Sequence, residues 1–488
     1  MTAGARTLQR RSRPGTGGRP SGVLLAAQPA RRALLVGEDH GEAIKVEPMH
    51  LGVPSGRGES SSWIDPFLAA NRQELERLAL VPEVRPGGSS ASLYLTPGAR
   101  IGAVALRSPA TRRAVAGLVV KSRFGWASTG RVLAAVGFRV EPSVGGGTLV
   151  PGSAREIPPW ILAGPVLSRL SELLANLRRD FALVSVHRTR PRGRVDWSEY
   201  GRLALPRGAW QRFLCTFPDL VADPELLAAA RWTLSRVIAD LERGDASLVG
   251  RSLLERAHWL ATRVGPGPAR RPDAHLVPPS AVLPPWLTAA VEGMCWVADE
   301  RGLGGSRTLD GLPWSLEVDR LWEAWVETLI GDVAPRLGAR LEVGRRGETS
   351  RPLDWTGTAR SLSRLVPDLV LRFPGRAVCI DAKYKRHYES LRERRWERLE
   401  ETMKEAHRAD VHQALAYAAV APEAAVDTAL VYPLRGQREC AAASVSMAAV
   451  GSGSRRLRLL LVGIPFGFRG PSERDATLAL LERSLRAA

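Results

Sequence analysis

Cysteine is scarce and scattered. The 488 residues hold four, Cys215, Cys295, Cys379 and Cys440, and no two of them form a CxxC pair. That spacing argues against a thiolate zinc cage, an iron–sulfur cluster or a disulfide framework, and leaves reduced thiols in a cytoplasmic protein as the expectation. No run of 18 or more apolar residues occurs, so no membrane span is expected. Residues 22–27 are too short and mixed for a secretory core. No GxxxxGK[ST] occurs, so a nucleotide-driven step would need an NTPase on another chain. Negative charge is in deficit as well: 50 Asp and Glu face 69 Lys and Arg, a net charge of +19. Such a field favours polyanions, nucleic acid first and acidic membrane surface second, although arginine-rich usage in a GC-rich genome gives the same surplus.

The length suggests two or three domains. Residues 1–60, with Arg6, Arg10, Arg11, Arg13, Arg19, Arg31 and Arg32 before the first acid at Glu38, read as a disordered Arg/Gly/Pro-rich arm. Residues 61–264 read as a mixed, helix-rich N-terminal domain. Strands are expected at 92–95 and 101–106 around Pro97-Gly98, and helices at 131–136, 167–183, 226–241 and 253–264. A Pro-rich linker is expected at 265–290, followed by a C-terminal domain at 291–488. There the pattern predicts a helix over 313–330, with Val318, Leu321, Trp322, Trp325, Val326 and Leu329 on one face. Strands follow at 365–373 and 377–384, then a charged segment at 386–410, an apolar helix at 411–420 and a strand at 429–432. The expected fold class is α/β: a mixed sheet flanked by helices after the N-terminal domain.

The hairpin carries the chemistry. Side chains alternate across a strand, so Val378, Ile380 and Tyr384 face one way while Cys379, Asp381 and Lys383 face the other. A turn centred on Pro374-Gly375 sets Asp368 opposite Asp381, although Pro-Gly suits a two-residue hairpin poorly. Two carboxylates at the end of an apolar strand repel each other, and a divalent cation removes the conflict. Such a metal polarises a phosphodiester oxygen and acidifies bound water. Lys383, on the same face, can orient that water and offset developing charge. An isolated D-x-K is more often a strand-edge salt bridge. Its place thirteen residues after Pro367-Asp368, between two helices, favours a phosphodiesterase site.

Pro367-Asp368 and Asp381-Ala382-Lys383 resemble the PD-(D/E)XK signature. The resemblance implies a PD-(D/E)XK nuclease domain. Asp368 and Asp381 would be metal ligands for Mg²⁺, with Mn²⁺ able to substitute, and Lys383 the catalytic lysine. The family's upstream helix glutamate corresponds best to Glu323, a catalytic and metal-binding candidate, with Glu317 and Glu327 as competitors. Glu327, opposite the apolar face, is expected to be solvated. Gln413-x-x-x-Tyr417 matches the Q-x-x-x-Y element of RecB-like members, as a supporting pair on one helix face. His407 and His412 are expected at the surface. The charged segment reads as a solvated helix laced with ion pairs, or as phosphate contacts.

The run LWEAWV, PDLVL, IDAKYK and DVHQALAYA is similar to McrC, the nuclease subunit of McrBC modification-dependent restriction systems. The strong part of this resemblance spans about 120 residues and a weaker one reaches roughly residues 90–260. It implies a cytoplasmic, Mg²⁺-dependent DNA endonuclease subunit in phage defence. The activating partner would be an AAA+ GTPase or ATPase, McrB-like, docked on the N-terminal part. The alternatives are a RecB-like exonuclease or other defence nuclease on the same fold, and a non-catalytic DNA-binding assembly subunit.

Overall fold

The computed structural model describes residues 33–51, 61–87, 90–144, 150, 158, 160–177, 180–221, 223–243, 248–273, 276, 284–298, 313–353, 355–356, 361–394, 396–435, 443–450 and 456–486. Along the chain these form β1 (Ala33–Glu38), β2 (Ile44–Val46), α1 (Ile64–Arg77), β3 (Leu80–Gly87), β4 (Ser90–Pro97), β5 (Arg100–Arg107), β6 (Ala114–Lys121), α2 (Gly125–Ala135), β7 (Ser143–Val144) and α3 (Trp160–Asn176). Next come β8 (Asp180–Arg188), β9 (Arg194–Val195), α4 (Trp197–Glu199), β10 (Phe213–Val221), α5 (Pro224–Arg243), α6 (Leu248–Val264) and α7 (Pro285–Ala298). The rest is β11 (Trp314–Glu317), α8 (Val318–Leu337), β12 (Arg340–Val343), β13 (Arg351–Pro352), β14 (Arg364–Leu365), β15 (Leu369–Phe373), β16 (Arg376–Ala382), α9 (His387–Glu393), α10 (Glu401–Val420), β17 (Ala425–Leu434), β18 (Ser444–Val450), β19 (Arg456–Pro465) and α11 (Pro471–Arg486). The architecture is mixed α/β.

The sheet that positions the site runs β12-β15-β16-β17-β19-β18. Its outer pairs are antiparallel, and β16, β17 and β19 are mutually parallel at the centre. Parallel neighbours need a crossover, and α9 and α10 supply the one between β16 and β17. Burial on both faces explains why β17 is a nearly continuous apolar run, AVDTALVYPL, with only its first residue partly exposed. One face, through Leu369, Leu371, Val378, Ile380 and Val431, packs on α8 by way of Leu321, Trp322, Trp325 and Val326. The other, through Val370, Ala377, Cys379 and Val426, meets Tyr417 and Ala418 of α10. The alternation expected along β16 is therefore present.

Several expectations are corrected. Of the arm expected over residues 1–60, residues 33–51 are ordered, with β1 paired in parallel to β6 along its whole length, and residues 1–32 and 52–60 lie outside the described ones. Only Leu35 of the LLV run is buried, while Leu34 and Val36 are exposed, so the order comes from the ladder with β6. The strands β4 and β5 flank the Pro97-Gly98 turn but join different sheets, β2-β4-β3 and β1-β6-β5-β11-β7. The helix expected over 167–183 ends at Asn176, because residues from Asp180 pair with β10. The helix expected over 313–330 begins only at Val318. Residues before it form β11, antiparallel to β5. The apolar core also runs without a break from α3, α5 and α6 through α7 and α8 into the site-bearing sheet. Of the stretch expected as a linker, Gly265 accepts a bond from Arg231 Nε, and the Arg270 amide donates to the Ala228 carbonyl.

The β5–β11 pairing depends on one glycine. A Cβ at Gly102, where φ is +155°, would fall 2.1 Å from the Trp314 carbonyl oxygen. Gly102→Ala should lower stability by about 1–3 kcal/mol through forced displacement of β11, read as a lower thermal midpoint. An unchanged midpoint would contradict the close approach.

Candidate active site

The hairpin that carries the site closes through Pro374-Gly375, with Phe373 paired to Arg376 and Gly375 at φ +69°. Proline fixes the first turn position and glycine takes the left-handed second one, so a two-residue loop is tolerated. Leu369 pairs with Ile380, and Asp368, one residue earlier, falls beside Asp381 as the sequence implied. The Asp368 carboxylate accepts the Ala382 amide at 2.7 Å.

Asp381 is buried, its side chain 4% exposed, and Lys383 Nζ lies 2.7 Å from its Oδ2. That oxygen gains no hydrogen bond of good geometry. Lys383 Nζ also donates to Gln413 Oε1 at 2.8 Å, and Gln413 Nε2 donates to the Tyr417 hydroxyl at 2.6 Å. Burial, then the Asp381 charge, push the Asp368 carboxyl up to about 8, with Glu323 adding to the repulsion. Glu323 is raised as well, by burial first and then by Asp319, with Asp381 adding. Tyr417 is pushed up to about 12 by burial and the Asp381 charge. The structure thus brings together Asp368, Asp381, Lys383, Gln413 and Tyr417, with Glu323 near enough to feel both aspartates.

The competing glutamates are committed elsewhere. Glu317 pairs with Arg100 and Arg320. Glu327 is buried rather than solvated: Arg345 grips both of its oxygens at 2.7 Å, and Arg139 and Arg346 also reach it. Three arginines make that burial tolerable, and periodicity on a single helix cannot reveal them. These pairs hold the Glu327 carboxyl below its ordinary range despite burial.

The chemistry of the donor set suits a hard divalent cation. Two buried carboxylates side by side, one with an oxygen lacking a hydrogen bond, are costly unless neutralised. Mg²⁺ is commonly held by one or two carboxylates, with water completing its shell. Among the described residues, no three His, Cys, Asp or Glu side chains converge as a cage, so the fit is to a carboxylate pair.

Sequence reasoning missed a second polar cluster beside the first. Asp410 on α10 pairs with Lys385, lies 3.4 Å from His387 Nε2 and accepts the Tyr432 hydroxyl at 3.1 Å. Burial lowers His387 to about 4. His407 is buried against His387 and Trp396 rather than at the surface, while His412 is exposed. The charged segment is two helices, α9 and α10, and Arg408 and Lys404 both pair with Glu401. Also missed were Asp39 and Arg123, which meet Tyr384. The apolar run just before Asp39 was the available signal.

Residues 314–433 match the family described as McrBC 5-methylcytosine restriction system component. The match spans β11 through most of β17 and takes in Glu323, Asp368, Asp381, Lys383, Gln413 and Tyr417, but not Asp39 or Arg123. Among solved structures, one similarity is to the refined half-complex from a tetradecameric assembly of Thermococcus gammatolerans McrB AAA+ hexamers with bound McrC. It has 13% identity over 93% of this chain and 100% of that chain, with a TM-score of 0.42. Another is to the cryo-EM structure of the Thermococcus gammatolerans McrBC complex, at 13% identity over 64% of this chain and 90% of that chain, with a TM-score of 0.23. No curated protein matches. Among the described residues, no helix is long and apolar enough to cross a membrane.

Without metal, Asp368 should make stability depend on pH. Its folded-state value of about 8 lies above the ordinary 3.8, so the native state keeps a proton that the unfolded chain releases. The contribution is full below the ordinary value and is lost as pH rises through the folded one. The metal-free melting temperature should therefore fall more steeply over that window in the wild type than in Asp368→Asn. Added Mg²⁺ should stabilise the wild type more near the upper end than the lower. Parallel pH profiles for the two proteins would refute the carboxylate repulsion.

Proposed function

We propose that this chain, whose residues 314–433 form a McrBC-family segment, is a Mg²⁺-dependent DNA endonuclease subunit of a modification-dependent restriction system. The domain would be of the PD-(D/E)XK type and would work in the cytoplasm. The observation that carries the reading is the buried Asp368–Asp381 pair with Lys383 at its side.

Asp368 and Asp381 would hold the cation, with Glu323 as an outer carboxylate. A divalent cation supplies Lewis-acid activation of a phosphodiester oxygen and acidification of water. Lys383, steadied by Gln413, would offset negative charge developing on the phosphate. Gln413 is itself steadied by Tyr417, so with Asp381 three side chains fix where the ammonium stands. The surplus of 19 positive charges favours a polyanionic substrate. Activation by an AAA+ NTPase, McrB-like, is part of the reading. It is supported by the family match, by the McrC resemblance and by the lack of a GxxxxGK[ST] motif in the chain. The Gln413-x-x-x-Tyr417 spacing, which resembles an element of RecB-like members, supports a second reading, a RecB-like exonuclease.

Closed circular plasmid separates the readings, methylated and unmethylated, with Mg²⁺ and with or without the partner NTPase and nucleotide. The endonuclease nicks or linearises circles, and Asp381→Ala abolishes this. Lys383→Ala should slow cleavage by about 10²–10³-fold, the scale for losing one stabilising donor. Cutting of linear DNA alone supports the exonuclease. Undiminished cleavage by both variants would remove the site from the reaction.

A further inference from the structure

Lys383 lies beyond the last paired residue of β16. Its amide donates to the Val431 carbonyl at 2.8 Å, and the chain then leaves the sheet. The next two residues are held by something other than the sheet. The Tyr384 side chain turns to the face opposite Lys383, where its hydroxyl donates to Asp39 Oδ2 at 2.5 Å. Asp39 follows β1 directly, and its own amide donates to the Lys121 carbonyl at the end of β6. Arg123, two residues past β6, completes the arrangement. Its amide donates to Asp39 Oδ1 at 2.6 Å, and its guanidinium lies 3.7 Å from Asp39 Oδ2. That guanidinium sits 4.7 Å from the Tyr384 ring and donates to the Lys385 carbonyl at 3.3 Å.

All three groups are sealed from water: the Asp39 and Arg123 side chains are 0% and 1% exposed, and Tyr384 is 5% exposed. Burial raises Tyr384 well above its ordinary range, so it is a neutral donor to Asp39. A hydrophobic anchor alone would not need a buried ion pair. The Tyr384 ring already packs on Phe124 and Phe466. What the Asp39–Arg123 pair adds is direction: it fixes the hydroxyl of residue 384 and the carbonyl of residue 385, on the C-terminal side of Lys383.

We propose that Asp39 and Arg123 are positioning residues that set Lys383 through Tyr384 and Lys385, so that strands β1 and β6 complete the nuclease site. The proposal rests on the nuclease reading above and deepens it. Misplacing a reacting group by about 1 Å can cost roughly 10²-fold in rate.

The test uses the full chain with whatever partner and nucleotide cleavage requires, and compares the wild type with Tyr384→Phe, Asp39→Asn, their double variant and Asp381→Ala. Tyr384→Phe removes only the hydroxyl and keeps the ring contacts, so it is the variant expected to stay folded. It should lower kcat by about 10–100-fold at unchanged KM for DNA. The double variant should be no slower than the slower single one. Amide hydrogen exchange in the metal-free chain should quicken over residues 380–388 in Tyr384→Phe, while residues 425–434 stay as in the wild type. A purely structural role would lower the melting temperature and leave kcat per folded molecule unchanged, and that result overturns the proposal. If Asp381→Ala still cleaves, the nuclease reading fails on its own. Exchange then decides, and an unchanged rate over 380–388 in Tyr384→Phe overturns the anchoring.

Discussion

Two carboxylates withdrawn from water side by side repel each other, and no arrangement of neutral side chains removes that cost. Asp368 and Asp381 stand in this relation because a hairpin register puts them there. The surrounding groups answer the repulsion only in part: one backbone amide for Asp368, one ammonium for Asp381. The remainder appears as a carboxyl pushed far above its ordinary range. Burying an ion costs roughly several kcal/mol even after relaxation. A proton kept on Asp368 relieves the cost in the metal-free chain, and a divalent cation would relieve it with both carboxylates ionised. The central parallel strands, the α10 crossover and the α8 face together hold the two acids at the edge of the apolar layer.

Lysine placement follows from the same constraint. Lys383 is the near positive charge, and it is divided between Asp381 and Gln413. If a cation takes over neutralisation of the acids, the ammonium becomes available to other negative groups. Of the side chains beyond it, buried Tyr384 donates to Asp39 and partly exposed Lys385 pairs with Asp410, two carboxylates from different parts of the chain. Consecutive residues of one short segment are thus tied to α8's neighbours in the sheet, to α10 and to the strands at the start of the described chain.

The site was largely legible in the sequence because it is local. Register through a Pro-Gly turn, alternation along β16 and the i,i+4 spacing of Gln413 and Tyr417 need nothing outside a stretch of about fifty residues. What was illegible depends on partners distant in sequence. Glu327 looked solvated because its arginines lie on other elements. Residues 33–51 looked unordered because β1 gains its order from β6, some eighty positions away. The strand β11 looked like the first turn of a helix because only pairing with β5 makes it extended. Long-range pairing overrode local periodicity in each case.

The central claim is that the Asp368–Asp381 pair is a divalent-cation site. The most direct measurement is anomalous diffraction from crystals of the full chain soaked in Mn²⁺. A peak at ligand distance from a carboxylate oxygen of each aspartate, lost in Asp381→Ala, is the predicted result. A wild-type crystal soaked to saturation with no peak there, while the two carboxyl groups remain adjacent, would contradict it.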